Sequence, residues 1–205
     1  MKRFFTILSI VFLVLALALT GLLTVQPDFV KNYRKNRNFK VGDRVDSLHG
    51  VIVYYNGGVR SSVGRTLTED HYNIGKKYQC VEFVKRYYYE RLHHKMPDPY
   101  GHARDFFDSD LPDGTWNEKR ELYQYSNGSK TKPDTSDLLI FKGSAYNPYG
   151  HVAIVSAVYS GGVEIIQQNP GPFAASRVMI GLEKREGKWY YTYSGVLGWL
   201  RKKNS

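Results

Sequence analysis

The sequence predicts an α+β fold, with a helix early in the domain and a mainly antiparallel sheet after it. Three observations lead there. Residues Cys80–Leu92 contain no helix breaker. Val81, Val84, Tyr88 and Leu92 recur at helical spacing in that stretch, beside a second stripe of Cys80, Phe83, Val84 and Tyr87. Further along, short β-branched and aromatic runs are each ended by turn residues, and Ser160-Gly161-Gly162 joins two of them as a hairpin.

Composition bounds the chain before any element is placed. Its 205 residues suit one domain, or one domain with an appendage. A 42% hydrophobic and 15% aromatic share is enough for a packed core and excludes global disorder. The single cysteine excludes an internal disulfide and a cysteine-rich zinc site. Lys and Arg number 29 against 19 Asp and Glu, a net charge of +10, which points to an anionic partner.

The first element is apolar. After Met1-Lys2-Arg3, the 22 residues Phe4 to Val25 carry no charge. As a helix they span about 33 Å at about 1.5 Å per residue, against a bilayer core of about 30 Å. Residues 1–25 are therefore expected to be a transmembrane anchor or a signal. An uncleaved single-pass anchor is the favoured form, because the run exceeds the usual signal core and the Ala16-Leu17-Ala18 cleavage candidate lies inside it. The side on which the remainder lies stays open: Lys31, Arg34, Lys35, Arg37 and Lys40 favour an inside C-terminus, while the signal-like start favours the opposite.

Residues 26–45 are polar and basic and read as a linker. Without residues 1–25 the chain still carries +8, concentrated in this stretch and in the 201–205 tail, Arg201-Lys202-Lys203. Such clusters fit membrane lipid phosphates or solvent. No helix-turn-helix or zinc-finger pattern is present, so nucleic acid is not an expected partner.

The globular domain is expected over 46–200. Val51–Tyr55 reads as a strand ended by Asn56-Gly57-Gly58, and the Cys80–Leu92 helix follows, closed off by Pro97 and Pro99. Residues 100–135 are mixed and turn-rich. Then come strands at Leu138–Phe141, His151–Val158, Val163–Asn169, Trp189–Tyr193 and Val196–Leu200.

Chemistry concentrates on few residues. Cys80 opens the helix, where the positive end of the helix dipole favours thiolate, the nucleophilic form. A buried structural cysteine is the competing reading. His151 follows the loop glycine Gly150 at the mouth of a strand, a place that can face a cleft. Gln167 and Asn169, two apart on the partner strand, share a face. Either amide oxygen there can accept the imidazole Nδ1–H and hold the ring. Two polar residues on a solvated face is the plainer alternative. The other histidines, His49, His71, His93, His94 and His102, show no metal-ligand spacing, so neither a metal nor another cofactor is expected.

Three segments together resemble the motifs of the CHAP family, the cysteine, histidine-dependent amidohydrolases/peptidases: Tyr78-Gln-Cys-Val-Glu-Phe-Val-Lys-Arg86, Gly150-His-Val-Ala-Ile-Val155 and Ile166-Gln-Gln-Asn169. The likeness is greatest to the amidase domain of glutathionylspermidine synthetase/amidase, which also has a Gln-Cys-Val-Glu-Phe core and a late Leu-Gly-Trp, here Leu197-Gly-Trp199. The resemblance implies a papain-like fold with Cys80 as nucleophile and His151 as general base. It places Gln167 where the family usually has Glu, with Asn169 two residues on, and it gives Gln79 a part in an oxyanion hole. It implies an amide substrate, a cell-wall peptide or a glutathionylspermidine-type conjugate, and no ligase activity. A neutral Gln167 orients an imidazole but cannot stabilise imidazolium as a carboxylate would. A binding module on a decayed hydrolase fold is the alternative that this departure raises.

Overall fold

The computed structural model describes residues 27–58, 61 and 63–203. The expected anchor at 1–25 lies outside them. Among the described residues no helix is long and apolar enough to cross a membrane.

The architecture is α+β. Helix α1 (Asp28–Asn36) precedes a two-stranded ribbon of β1 (Arg44–Leu48) and β2 (Val51–Tyr54). A second ribbon of β3 (Arg65–Leu67) and β4 (Asn73–Lys76) leads into helix α2 (Cys80–Leu92). After a 3-10 turn at Ala103–Phe106 come β5 (Thr115–Asn117), β6 (Leu122–Ser126), β7 (Leu138–Phe141), β8 (His151–Val158), β9 (Gly162–Ile166), β10 (Arg177–Arg185), β11 (Lys188–Tyr191) and β12 (Val196–Arg201). These eight strands form one antiparallel sheet in the order β11-β10-β9-β8-β7-β12-β6-β5.

Strand alternation splits the core into two. On one face Leu138, Ile140, Val152, Ile154, Ile166 and Leu200 pack against Phe83, Val84, Tyr87 and Tyr88 of α2. On the other, Leu139, Ala153, Val155, Ile165 and Trp199 meet Leu182 and Tyr191 from the far end of the sheet. The sheet therefore curls over its second face. Trp189 of β11 bridges Ser129, just beyond β6, through Trp189 N–H to Ser129 O (2.7 Å) and Gly128 N–H to Trp189 O (2.8 Å). This explains why β7 is buried at every position and reads as a continuous apolar run rather than an alternating one.

Helix α2 has the bounds expected from its periodicity. His93, left-handed at φ 49°, ends it, ahead of the prolines. The helix is buried at every position from Glu82 to Tyr88, because the ribbons cover the side that the sheet leaves open. Each large apolar side chain so buried contributes about 1.5–3 kcal/mol.

Three expectations need correction. The 26–45 linker contains α1, which buries no side chain of its own but is tied down by Asn36: its Nδ2 donates to Pro172 O (2.8 Å) and Ala174 O (3.1 Å). The tail expected from 201 begins inside β12, and Arg201 is committed to buried Asp137 through Nη2 (2.7 Å) and Nε (2.8 Å). The strand expected to reach Asn169 ends at Ile166. Gln167 and Asn169 thus leave the sheet, and Asn169 turns left-handed at φ 55°. Of the helices, it is α2 that packs on the sheet.

Candidate active site

The start of α2 and the start of β8 meet. Gln79 is the N-cap of α2 and makes no side-chain cap, which leaves the first amides of the helix unclaimed by it. Cys80 follows, partly buried. Its thiol takes backbone hydrogen bonds from Val152, Val81 and Cys80 itself, which favour thiolate, but burial outweighs them and pushes the thiol up from its ordinary value. The helix N-terminus thus acts in the expected direction and is overruled by desolvation. The Val152 contact also places Sγ beside the residue after His151.

Gly150 sets the position of that histidine. It sits at φ 72°, and a Cβ there would lie 2.6 Å from Phe141 O and 2.9 Å from Arg104 Cβ. Only glycine lets the loop turn this tightly onto β7. His151 then pairs with Gln167 at 2.9 Å, Nε2 to Oε1. The amide orientation of Gln167 is fixed from behind, because its Nε2 donates to Ala175 O at 3.0 Å. Oε1 must therefore face the ring, so imidazole Nε2 carries the proton and Nδ1 keeps its lone pair. The expected tautomer was the reverse, with Nδ1–H donating. Burial lowers His151 to about 4, against the opposing effect of the Gln167 hydrogen bond. At neutral pH the free site holds a neutral thiol and a neutral imidazole, with the ring's lone pair on Nδ1.

Asn169 does different work from that expected. Its Nδ2 donates to Gln79 Oε1 at 2.7 Å, and Gln79 Nε2 donates to Ser61 O at 2.8 Å. Gln79 is thus held in the cleft wall with one amide hydrogen spoken for. Cys80, His151, Gln79 and Asn169 all line one open cleft of about 590 Å³. Gln167 lies behind it, 6% exposed, in the wall of a second, smaller cavity.

Gln168, to which no sequence pattern assigns a role, is bonded to three other residues. It is fully buried. Its Nε2 donates to Gln79 O (2.9 Å) and Glu82 Oε2 (2.8 Å), and its Oε1 accepts from Tyr54 N–H (2.7 Å). Glu82 in turn accepts from Arg86 Nε at 2.7 Å, and Arg86 Nη2 donates to Ile52 O at 2.7 Å. The segment 167–169 therefore binds His151 with Gln167, the helix start with Gln168 and the cleft wall with Asn169. The signal available was two consecutive glutamines in an apolar context, where a buried amide needs partners.

The opposite wall, residues 98–105, is held by two buried cations. Arg120 Nη1 donates to Asp98 O (2.6 Å) and its guanidinium reaches Tyr100 O and Asp105 O; Lys85 Nζ donates to Pro99 O (2.9 Å) and to Asn73 O. Among the described residues no group of three or more His, Cys, Asp or Glu is placed to hold a metal ion.

Residues 70–169 match the CHAP domain family. The chain is 32% identical over 106 residues to trypanothione synthetase of Crithidia fasciculata, covering 52% of this chain and 16% of that one. It is 33% identical over 110 residues to the bifunctional glutathionylspermidine synthetase/amidase of Escherichia coli, covering 53% of this chain and 17% of the relative. The chain thus spans about a sixth of the length of these curated relatives. The crystal structure of a wild-type endolysin aligns over 85% of this chain and 63% of its own, at 19% identity and a TM-score of 0.39. On the family match and the two curated relatives, residues 70–169 of this chain are a CHAP domain.

Proposed function

We propose that this protein is a membrane-anchored cysteine amidase or peptidase that hydrolyses an amide bond through a thioester acyl-enzyme. The observation that carries the reading is the doubly fixed Gln167, which makes Nδ1 the acceptor nitrogen of His151, a residue that lines the same cleft as Cys80. As Sγ attacks the amide carbonyl, Nδ1 takes the thiol proton. The developing oxyanion is met by the Cys80 backbone N–H, with the remaining amide hydrogen of Gln79 beside it. Collapse breaks the C–N bond, and Nδ1–H delivers its proton to the leaving amine. Water, deprotonated by Nδ1, then attacks the thioester, and the thiolate leaves and recovers that proton. The substrates proposed are cell-wall peptides or a glutathionylspermidine-type conjugate, and the 22-residue uncharged N-terminal run supports the membrane anchor. The Cys80→Ala variant should lose hydrolysis of such amides by at least about a thousandfold while melting close to the parent. Retained turnover in that variant would sink the proposal.

One observation favours a second reading, a binding module without turnover. Burial moves both reacting groups away from the ion-pair state, and neutral Gln167 does not correct it. A parent protein that binds an amide substrate and never cleaves it would establish that reading instead.

A further inference from the structure

The cleft has an unbalanced charge pattern that the chemistry at Cys80 does not use. In the β3–β4 ribbon Arg65 stands directly opposite Lys76, and both line the cleft. Like charges directly opposed on a ladder are destabilising. Here neither makes an ion pair with any described carboxylate. The acid that shares the cleft, Asp105, is occupied: Oδ2 accepts from His102 N–H (2.8 Å) and Oδ1 faces Arg104 Nε (3.5 Å).

The pair is also held in place. Arg65 Nη1 donates to Asn73 Oδ1 at 2.8 Å, and Asn73, only 5% exposed, is anchored through its Nδ2 to Pro99 O at 3.2 Å. One of the five guanidinium N–H groups is thereby used for aim, and the others remain for a ligand. The ribbon packs closely on the start of α2: a Cβ on Gly75 of β4 would lie 3.2 Å from Glu82 Cα. Behind the ribbon, buried Lys85 is lowered to about 7, first by desolvation; the charges of Arg120 and Arg65 add to the effect and that of Asp98 opposes it.

We infer that Arg65 and Lys76 form a carboxylate subsite, and that the substrate amide carries a free carboxylate which seats between them. This rests on the reading of the cleft as an amidase site. A planar carboxylate matches the Arg fork, with Lys76 as a second point charge. The ligand class is a γ-glutamyl peptide with its α-carboxylate free, a chemistry shared by cell-wall stem peptides and glutathione conjugates.

The test is binding to the full-length Cys80→Ala protein in detergent, by calorimetry. Two ligand pairs are used: acetyl-L-alanyl-γ-D-glutamyl-L-lysine with the glutamyl α-carboxyl free or as carboxamide, and glutathionylspermidine with the same change. At least one free acid should bind about tenfold or more tightly than its carboxamide, and the pair that shows this identifies the source. Arg65→Gln with Lys76→Gln should erase the preference for acid over carboxamide and flatten the salt dependence. Lys76→Gln alone, at an exposed position, should halve the effect without touching the fold. Equal affinity for acid and carboxamide in both pairs, or a preference that survives the double variant, overturns the subsite. Binding is read without turnover: an acid that binds here but is never cut by the parent protein keeps the subsite and removes the amidase reading.

Discussion

At the scale of single residues, the balance at His151 is the controlling quantity. Its folded value of about 4 lies below the ordinary 6.5. The unfolded chain therefore binds more proton than the folded one between those values. This share of stability is present above pH 6.5 and is lost as pH falls towards 4. Replacing Gln167 by Glu puts a carboxylate 2.9 Å from Nε2, which should raise the imidazole by about 1–3 units. It also removes the donor to Ala175 O and sets a negative oxygen against that carbonyl. Gln167→Glu should therefore show a His151 resonance titrating well above 4, higher kcat/KM at neutral pH, and stability lower by about 1–3 kcal/mol. An unmoved titration would mean that Gln167 does not govern the ring. The identities of Cys80, His151 and Gln167 were legible because each stands in a short motif at an element boundary. The tautomer was not, since Ala175, which fixes it, belongs to a loop whose path no local pattern predicts.

Among elements, the start of α2 depends on a residue from the far side of the domain. Gln168 joins Gln79, Glu82 and β2, and Glu82 is 3% exposed, so its carboxylate has no water to fall back on. Gln168→Leu leaves Gln79 O, Glu82 Oε2 and Tyr54 N–H without their partner. The expected cost is about 3 kcal/mol, read as a shift in the urea midpoint. Because Gln168 holds the turn that presents Cys80 rather than touching substrate, kcat should fall with KM nearly unchanged. Cys80 alkylation should also slow relative to the parent at equal pH, which a purely structural loss would not produce once the protein is folded. Sequence periodicity placed α2, β7, β8 and β12 well, because each buries a regular stripe or run. It missed α1, which buries no side chain, β1 and β3 to β6, which are short and flanked by turn residues, and the nine-residue β10, whose half-buried positions carry no clean alternation. It extended β9 three residues too far because Gln167 to Asn169 carry no breaker until Pro170. That error mattered, since strand geometry would have sent Gln168 to the face opposite Gln167 and Asn169.

Across the whole molecule, charge and connectivity link the N-terminal region to the site. Helix α1 follows the apolar run directly, and its Asn36 holds the backbone of Pro172 and Ala174. Tyr33 of the same helix stacks on Phe173, with ring centroids 5.2 Å apart. The next residue, Ala175, supplies the carbonyl that orients Gln167. Three covalently adjacent positions thus separate a helix expected to lie beside the membrane from the group that orients the His151 ring. The loop has few buried apolar contacts of its own, so its order depends on this tie. Asn36→Ala leaves the core untouched and should change global stability by less than about 1 kcal/mol, since α1 buries nothing. Amide exchange should nevertheless quicken across 170–176, and kcat/KM should drop by about threefold to tenfold as the Gln167 amide becomes free to rotate. The Gln167→Glu variant separates this route from a general loosening: both carboxylate oxygens accept, so rotation no longer matters, and Asn36→Ala should cost that background much less. An equal loss in both backgrounds would place the effect of α1 elsewhere than at the base.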